Sequence, residues 1–157
     1  MTNEPDRILQ AARAILRTAR DDMRTSIDGL PPEAINWTPP APDTNSIAVL
    51  THHSMLSTRQ WFTVAVNETL PDRDRSSEFE VEYTDAASLI AMLDKTAEEC
   101  LALISKDRSV DWSTVYDHWN PEQDLKVSAV WAVMHALEHL REHVAVIALT
   151  RQLWDAR

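Results

Sequence analysis

A chain of 157 residues with a single glycine, Gly29, has little capacity for the left-handed turns that tightly connected sheets require. It also lacks a glycine-rich phosphate loop: no G-x-G-x-x-G, Walker A or G-x-S-x-G pattern is present. Helices remain, and the apolar spacing supplies them. From about Pro5 to Asp28, Ile8, Ala11, Ala12, Ile15, Ala19 and Met23 recur at three- and four-residue intervals, with Gly29 as the stop. Pro31, Pro32, Pro39, Pro40 and Pro42 then argue against regular structure over the next dozen residues. A second helix starts in the capping run Asp43-Thr44-Asn45-Ser46 and continues to about Thr69, ahead of Pro71. The alternation from Glu78 to Tyr83 suggests a short extended piece. A third helix covers about Asp85 to Ser105, capped by Thr84 or Asp85, with Leu89, Met92, Leu93, Ala97, Leu101 and Ile104 inward. A loop follows from Lys106 to Leu125, and the last helix runs from about Val127 to Ala156.

Four amphipathic helices of this length predict an all-α, up-and-down four-helix bundle, with residues 1–157 as one domain. The net charge of −10 argues against a nucleic-acid partner, whose phosphates need clustered Lys and Arg. No apolar run reaches the length of a membrane span, and the first residues lack a signal-peptide pattern, so a cytoplasmic protein without a membrane partner is expected. Cys100 is the only cysteine, which excludes an internal disulfide and a thiolate metal site. Its apolar setting points to a buried structural thiol, not a nucleophile.

The histidines carry the functional signal. The last helix reads His135-x3-His139-x3-His143. Each four-residue step rotates by about 40°, so His139 and His143 share a face with His135 at its edge. That face also holds Ala132, Ala136, Leu140 and Ile147, so the imidazoles lie along the apolar stripe. On the second helix, His52 and His53 differ by about 100°. Val49, Leu50, Leu56 and Val64 flank the His53 direction, so His53 turns inward and His52 lies at the polar boundary. Neutral imidazoles converging from two helices suit a divalent metal, Zn or Ni foremost and Fe as a further candidate, with a position open to water or substrate. Against this stands the ordinary packing role of histidine, which any one of these residues could fill alone.

The same helix also matches H-x-x-E-H at residues 135–139 and 139–143, a metalloprotease signature. Only 14 residues follow His143, and Asp155 is the one side-chain carboxylate among them, which leaves no good third ligand downstream.

Three stretches together resemble the DinB-like family, including its branch with mycothiol-dependent maleylpyruvate isomerase. The first is Asn36-Trp37-Thr38-Pro39 running into Asn45-Ser46-Ile47. The second is His53 followed eight residues later by Trp61-Phe62. The third is Trp131 to His135, then His139, His143 and the tail Leu149 to Trp154. The resemblance spans the chain and implies a metal-binding four-helix bundle with His53, His139 and His143 as ligands. The isomerase branch has Glu where this chain has His139, so the chain is similar to the all-histidine branch. It departs from the family at Ala145-Val146, where Gly-Gln is common.

The resemblance implies a metal-dependent transferase or isomerase acting with a low-molecular-weight thiol on a small-molecule substrate. A non-catalytic, stress-associated metal-binding bundle and a metal-dependent hydrolase are the alternatives. No catalytic residue is assigned; His135, Glu138 and Glu142 are candidates by proximity to the ligands, while His52 and His118 are peripheral. Trp37, Trp112, Tyr116 and Trp119 in the two long loops either wall a pocket or cap the core, and capping is the preferred reading. A second stripe on the last helix, Val133, Leu137, Val144 and Ala148, suggests burial on two sides and hence a homodimer.

Overall fold

A computed structural model describes residues 6–67, 72–116 and 127–157. Among them are four long helices, α1 (Arg7–Ile27), α3 (Ile47–Ala65), α4 (Ala86–Leu103) and α5 (Ala129–Asp155). A single turn, α2 (Pro32–Ile35), and a 3₁₀ turn at Ser77–Phe79 lie in the connections. A two-residue antiparallel ribbon pairs β1 (Val115–Tyr116) with β2 (Val127–Ser128). The protein is an all-α bundle, as the periodicity predicts. The expectations for Pro5, Thr69, Pro71, His118, Trp119 and Leu125 fall outside the described residues.

Capping explains where the long helices begin. Asp6 accepts from the backbone N–H groups of Ile8 and Leu9 at 2.9 and 3.1 Å. Ser46 caps α3 by accepting from Val49, Asp85 caps α4 by accepting from Ser88, and Ser128 caps α5 by accepting from Trp131. Each satisfies an N–H that the helix itself leaves without a partner.

Several details differ from the sequence expectation. In α1 the buried ladder is Leu9, Ala12, Leu16, Ala19, Met23 and Ile27, while Ile15 is 38% exposed. The 3-4-3-4-4 spacing of that ladder is unbroken over the whole helix, so it outcompetes the set containing Ile8 and Ile15. Pro31 and Pro32 do not exclude helix: Pro32 opens α2, a position that needs no N–H and suits the fixed φ of proline. Ala34 and Ile35 of this turn are fully buried. α3 stops at Ala65 because Asn67 turns left-handed at φ 57°. The alternating stretch from Glu78 to Tyr83 forms no strand; its first two residues lie in the 3₁₀ turn, with the Glu78 side chain buried.

Around the bundle the contacts run α1, α5, α3, α4 and back to α1. The links between α1 and α3 and between α4 and α5 therefore join diagonal helices, which accounts for their length. The link between α3 and α4 joins neighbours that run parallel, since Tyr83 before α4 meets His52 near the start of α3 and Glu99 meets Arg59 near the two ends, so the link returns along α3 and its residues 72–85 lie over the α3–α5 seam. Its end is clamped there. Asn36 donates to the Tyr83 carbonyl at 2.8 Å and accepts from the Tyr83 N–H at 3.0 Å, and the Tyr83 hydroxyl meets His52 Nδ1 at 2.7 Å.

The second stripe of α5 is largely covered within the chain. Val133, Leu137 and Val144 are buried against the other helices and Ala148 is half-buried, so of this stripe at most Ala148 is left to meet a second copy. No helix among the described residues is long and apolar enough to cross a membrane.

Candidate metal centre

α5 presents His139 and His143 one turn apart, and α3 supplies His53 from across the most extensive helix seam in the bundle. The three rings pack edge to face, with centroids 4.4 Å apart for His139 and His143, 5.2 Å for His53 and His139, and 5.4 Å for His53 and His143. One nitrogen from each ring lies within 4.8 Å of the others, an arrangement that could hold a metal ion. Nε2 of His139 and Nε2 of His143 are 3.1 Å apart. Metal–nitrogen bonds of about 2.0–2.1 Å in a tetrahedral site separate donors by roughly 3.3 Å, so the pair needs little adjustment.

His53 is oriented by a buried carboxylate. Its Nδ1–H donates to Glu78 Oε2 at 2.8 Å, and both side chains are almost fully enclosed. An ionised carboxylate only accepts, so the His53 proton sits on Nδ1 and the lone pair faces the cluster from Nε2. Arg73 holds Glu78 in turn, donating through Nε to Oε1 at 2.5 Å and through Nη2 to Oε2 at 2.8 Å. Arg73 Nη1 also donates to Gln60 Oε1. Burial pushes the Glu78 carboxyl up, but the bonds from Arg73 and His53 outweigh it and leave the pKa lowered. A carboxylate behind a ligating imidazole fixes its tautomer and raises its basicity.

Protonation is disfavoured at all three imidazoles. Burial, then the nearby charges of His143, His53, His135 and Arg73, bring His139 down to about 3. Burial lowers His53 against the opposing pull of Glu78, and Arg73 and Arg75 lower it further. His143 is lowered by burial and by His53, with Glu142 opposing. The rings are therefore neutral at pH 7, with lone pairs available to a cation. Nδ1 of His139 and Nδ1 of His143 are buried with no hydrogen-bond partner among the described residues. An all-imidazole set of neutral nitrogens fits a divalent ion such as Zn, Ni or Fe.

The cluster floors an open cleft of about 560 Å³. Pro39, Leu50, Phe79, Val146, Leu149 and Leu153 give it apolar walls, and Asp43 and Glu142 also line it. Val146, Leu149 and Leu153 are 40%, 52% and 45% exposed on this one wall, an apolar patch of the kind that marks a binding surface.

The other sequence candidates separate. His135 does not join the cluster. It stacks on Trp131 at 4.7 Å and meets the edge of Trp61 at 4.8 Å, on the far side of His139. Glu138 points to solvent with its side chain 81% exposed, because its helical angle carries it off the histidine face. Glu142 does line the cleft. Trp37 packs on Trp154 under the Arg157 guanidinium, Trp112 donates to Asp6 at 2.8 Å and packs with Tyr116 against the core, and none of the three lines the cleft. Cys100 is fully buried and its thiol is pushed up to about 12, mainly by burial. Glu78, Arg73, Arg75 and Phe79 carry no sequence signal tying them to the histidines. The connector joins the cluster only through the tertiary fold.

Residues 15–147 match the DinB superfamily. No curated protein sequence matches the chain. Among solved structures, a conserved protein from Enterococcus faecalis is similar in fold, with a TM-score of 0.74 at 16% identity, covering 94% of this chain and 97% of that one.

Proposed function

The chain belongs to the DinB superfamily, and from that premise we propose that it is a divalent-metal-dependent enzyme that transfers or isomerises through a low-molecular-weight thiol. The observation that carries the reading is the convergence of three neutral imidazole nitrogens within 4.8 Å at the floor of an apolar cleft. His53, His139 and His143 hold the ion. When bound, a divalent metal lowers the pKa of a coordinated thiol or water and so supplies a nucleophile at neutral pH.

The rest of the chemistry belongs to the chain. Glu78 holds the proton at His53 Nδ1, keeping Nε2 as the donor. Phe79, Val146, Leu149 and Leu153 take the apolar part of the substrate and exclude water from it. Of the two carboxylates that line the cleft among the described residues, Asp43 and Glu142, Glu142 adjoins the ligand His143 in sequence and takes up the thiol proton. In transfer, the sulfur forms a bond to an electrophilic carbon and the leaving group departs with its electron pair. In isomerisation, the sulfur adds and is later expelled.

The test begins with metal content. Protein purified without an affinity tag is expected to hold about one divalent ion per chain, lost in both His53→Ala and His143→Ala. The absence of stoichiometric metal sinks the reading. A thiol that perturbs the visible spectrum of the Co²⁺-substituted protein supports transfer. A spectrum indifferent to thiols leaves a structural metal, and turnover of esters or amides without thiol favours a hydrolase.

A further inference from the structure

The imidazoles are reached from two sides. A second cavity, of about 330 Å³, lies between α3, the connector and α5. It shares His53, His139 and Arg75 with the apolar cleft and adds Gln60, Trp61, Arg73 and His135. Its chemistry is the opposite of the cleft's. Asp43 and Glu142 line the cleft, whereas no carboxylate lines this cavity among the described residues. Arg73 is already neutralised by Glu78. Arg75 is not: its guanidinium lies over the Phe79 ring at 5.2 Å and meets no carboxylate among the described residues. Gln60 accepts from Arg73 through Oε1, which leaves its amide N–H groups as donors, and Ser57 adds a hydroxyl to the wall. In a chain of net charge −10, this wall of donors with one uncompensated guanidinium concentrates positive potential beside the reactive centre.

We propose that this second cavity is an anion subsite that takes the carboxylate of a small co-substrate whose reacting atom sits at the imidazoles, with Arg75 as the residue that binds it. The inference rests on the reading that small organic substrates react at this centre, and adds which chemical class they belong to. A guanidinium matches a carboxylate in planar, two-pronged geometry, and its stacking on Phe79 limits the orientations it must give up on binding. The apolar portion of the same reaction partners lies in the first cleft, so the two cavities sort the reactants by polarity. The carboxylate belongs either to the thiol or to its acceptor, and the two sources are separable.

The experiment compares 3-mercaptopropionate with 2-mercaptoethanol on the Co²⁺-substituted full-length chain, read by visible spectroscopy. Butyrate binding to the metal-free chain is read in parallel by saturation-transfer NMR. If the thiol carries the carboxylate, the wild type binds 3-mercaptopropionate roughly tenfold or more tightly than 2-mercaptoethanol. Arg75→Gln abolishes that preference without changing 2-mercaptoethanol binding, and Arg75→Lys restores part of it. If the acceptor carries it, the thiols bind alike, butyrate binds the wild type, and Arg75→Gln loses butyrate. No carboxylate preference in either arm, or one that survives Arg75→Gln, overturns the proposal. A cobalt spectrum indifferent to every thiol refutes the thiol reading instead, and butyrate binding lost in Arg75→Gln then still upholds the subsite.

Discussion

Replacing Glu78 by alanine leaves two groups behind: an imidazole with no acceptor at Nδ1 and a guanidinium with no counter-charge. Glu78 is 2% exposed and receives three hydrogen bonds, from Arg73 Nε and Nη2 and from His53 Nδ1. Breaking a buried ion pair by deleting one partner costs about 3–5 kcal/mol, most of it the penalty of the stranded charge. Arg73 retains Gln60 as an acceptor and its side chain is 13% exposed, so the lower end, about 3 kcal/mol, applies. At about 2–4 °C per kcal/mol for a chain of this size, Glu78→Ala is expected to melt roughly 6–12 °C below the wild type. Glu78→Gln keeps the shape and one acceptor and is expected to lose about half as much.

The same carboxylate orients a ligand, so both variants are expected to bind Zn²⁺ about 10–100-fold more weakly, measured by competition with a chromophoric chelator. Thermal unfolding of the metal-free proteins by circular dichroism reads the first effect apart from the second. A Glu78→Ala protein that melts within 2 °C of the wild type and keeps its zinc affinity would refute the argument that this network is buried and that it positions His53.

Other outcomes follow from the same geometry. The folded-state pKa values of His53, His139 and His143 are depressed, so below the ordinary value of 6.5 the unfolded chain binds protons that the folded chain refuses. Stability of the metal-free protein is therefore full above that pH and falls as the pH drops below about 6.5, by up to about 1.4 kcal/mol per pH unit for an imidazole still refusing its proton, with the His139 share continuing to about 3. Glu78 adds a loss of the same sign as its lowered pKa is crossed. Urea midpoints that stay level from pH 7 to 4 would contradict this. Cys100 is expected to resist Ellman's reagent in the native protein and to react only on unfolding, since its thiol is buried and its pKa is about 12; rapid native labelling would show otherwise. Gly29 sits at φ +70° with open space where a Cβ would stand, so Gly29→Ala is expected to cost about 1 kcal/mol through backbone conformation alone and to lower the melting temperature by about 2–4 °C.

The parts of the protein legible in its sequence are those written in local periodicity. Helix existence, caps within the run Asp43 to Ser46 and at Thr84 or Asp85, and the inward turn of His53 follow from spacing within one element, while the structure picks out Ser46 and Asp85 as the capping residues. The convergence of His53 with His139 and His143 is suggested by two such faces and needs only that α3 and α5 be neighbours. What spacing does not reveal is anything that depends on a loop folding back. Glu78 reads as one acid in a charged, alternating connector, and only the return of that connector along the side of α3 brings it against His53. The face of α1 shows the limit within an element: Ile15 and Leu16 both fit an apolar period, and only packing tells which is inside. The second stripe of α5 shows it again, since a helix lined on two sides can be enclosed by its own chain.

The connector has a further consequence. Arg73, Arg75, Glu78 and Phe79 fall within seven consecutive residues, and none belongs to a long helix. They govern the proton on one imidazole, the charge of one cavity and the wall of the other. The bundle supplies the imidazoles, while this short strap sets what they meet. Ligand chemistry and scaffold are thus encoded in separable stretches of sequence. A lineage could exchange the strap, and with it the reactants admitted, while every helix kept its packing. Divergence among proteins of this architecture is expected to concentrate at the strap's exposed positions, Arg75 and Phe79, where substitutions redirect which small molecules enter, while the buried Arg73–Glu78 pair is held in place by the stability its loss would cost.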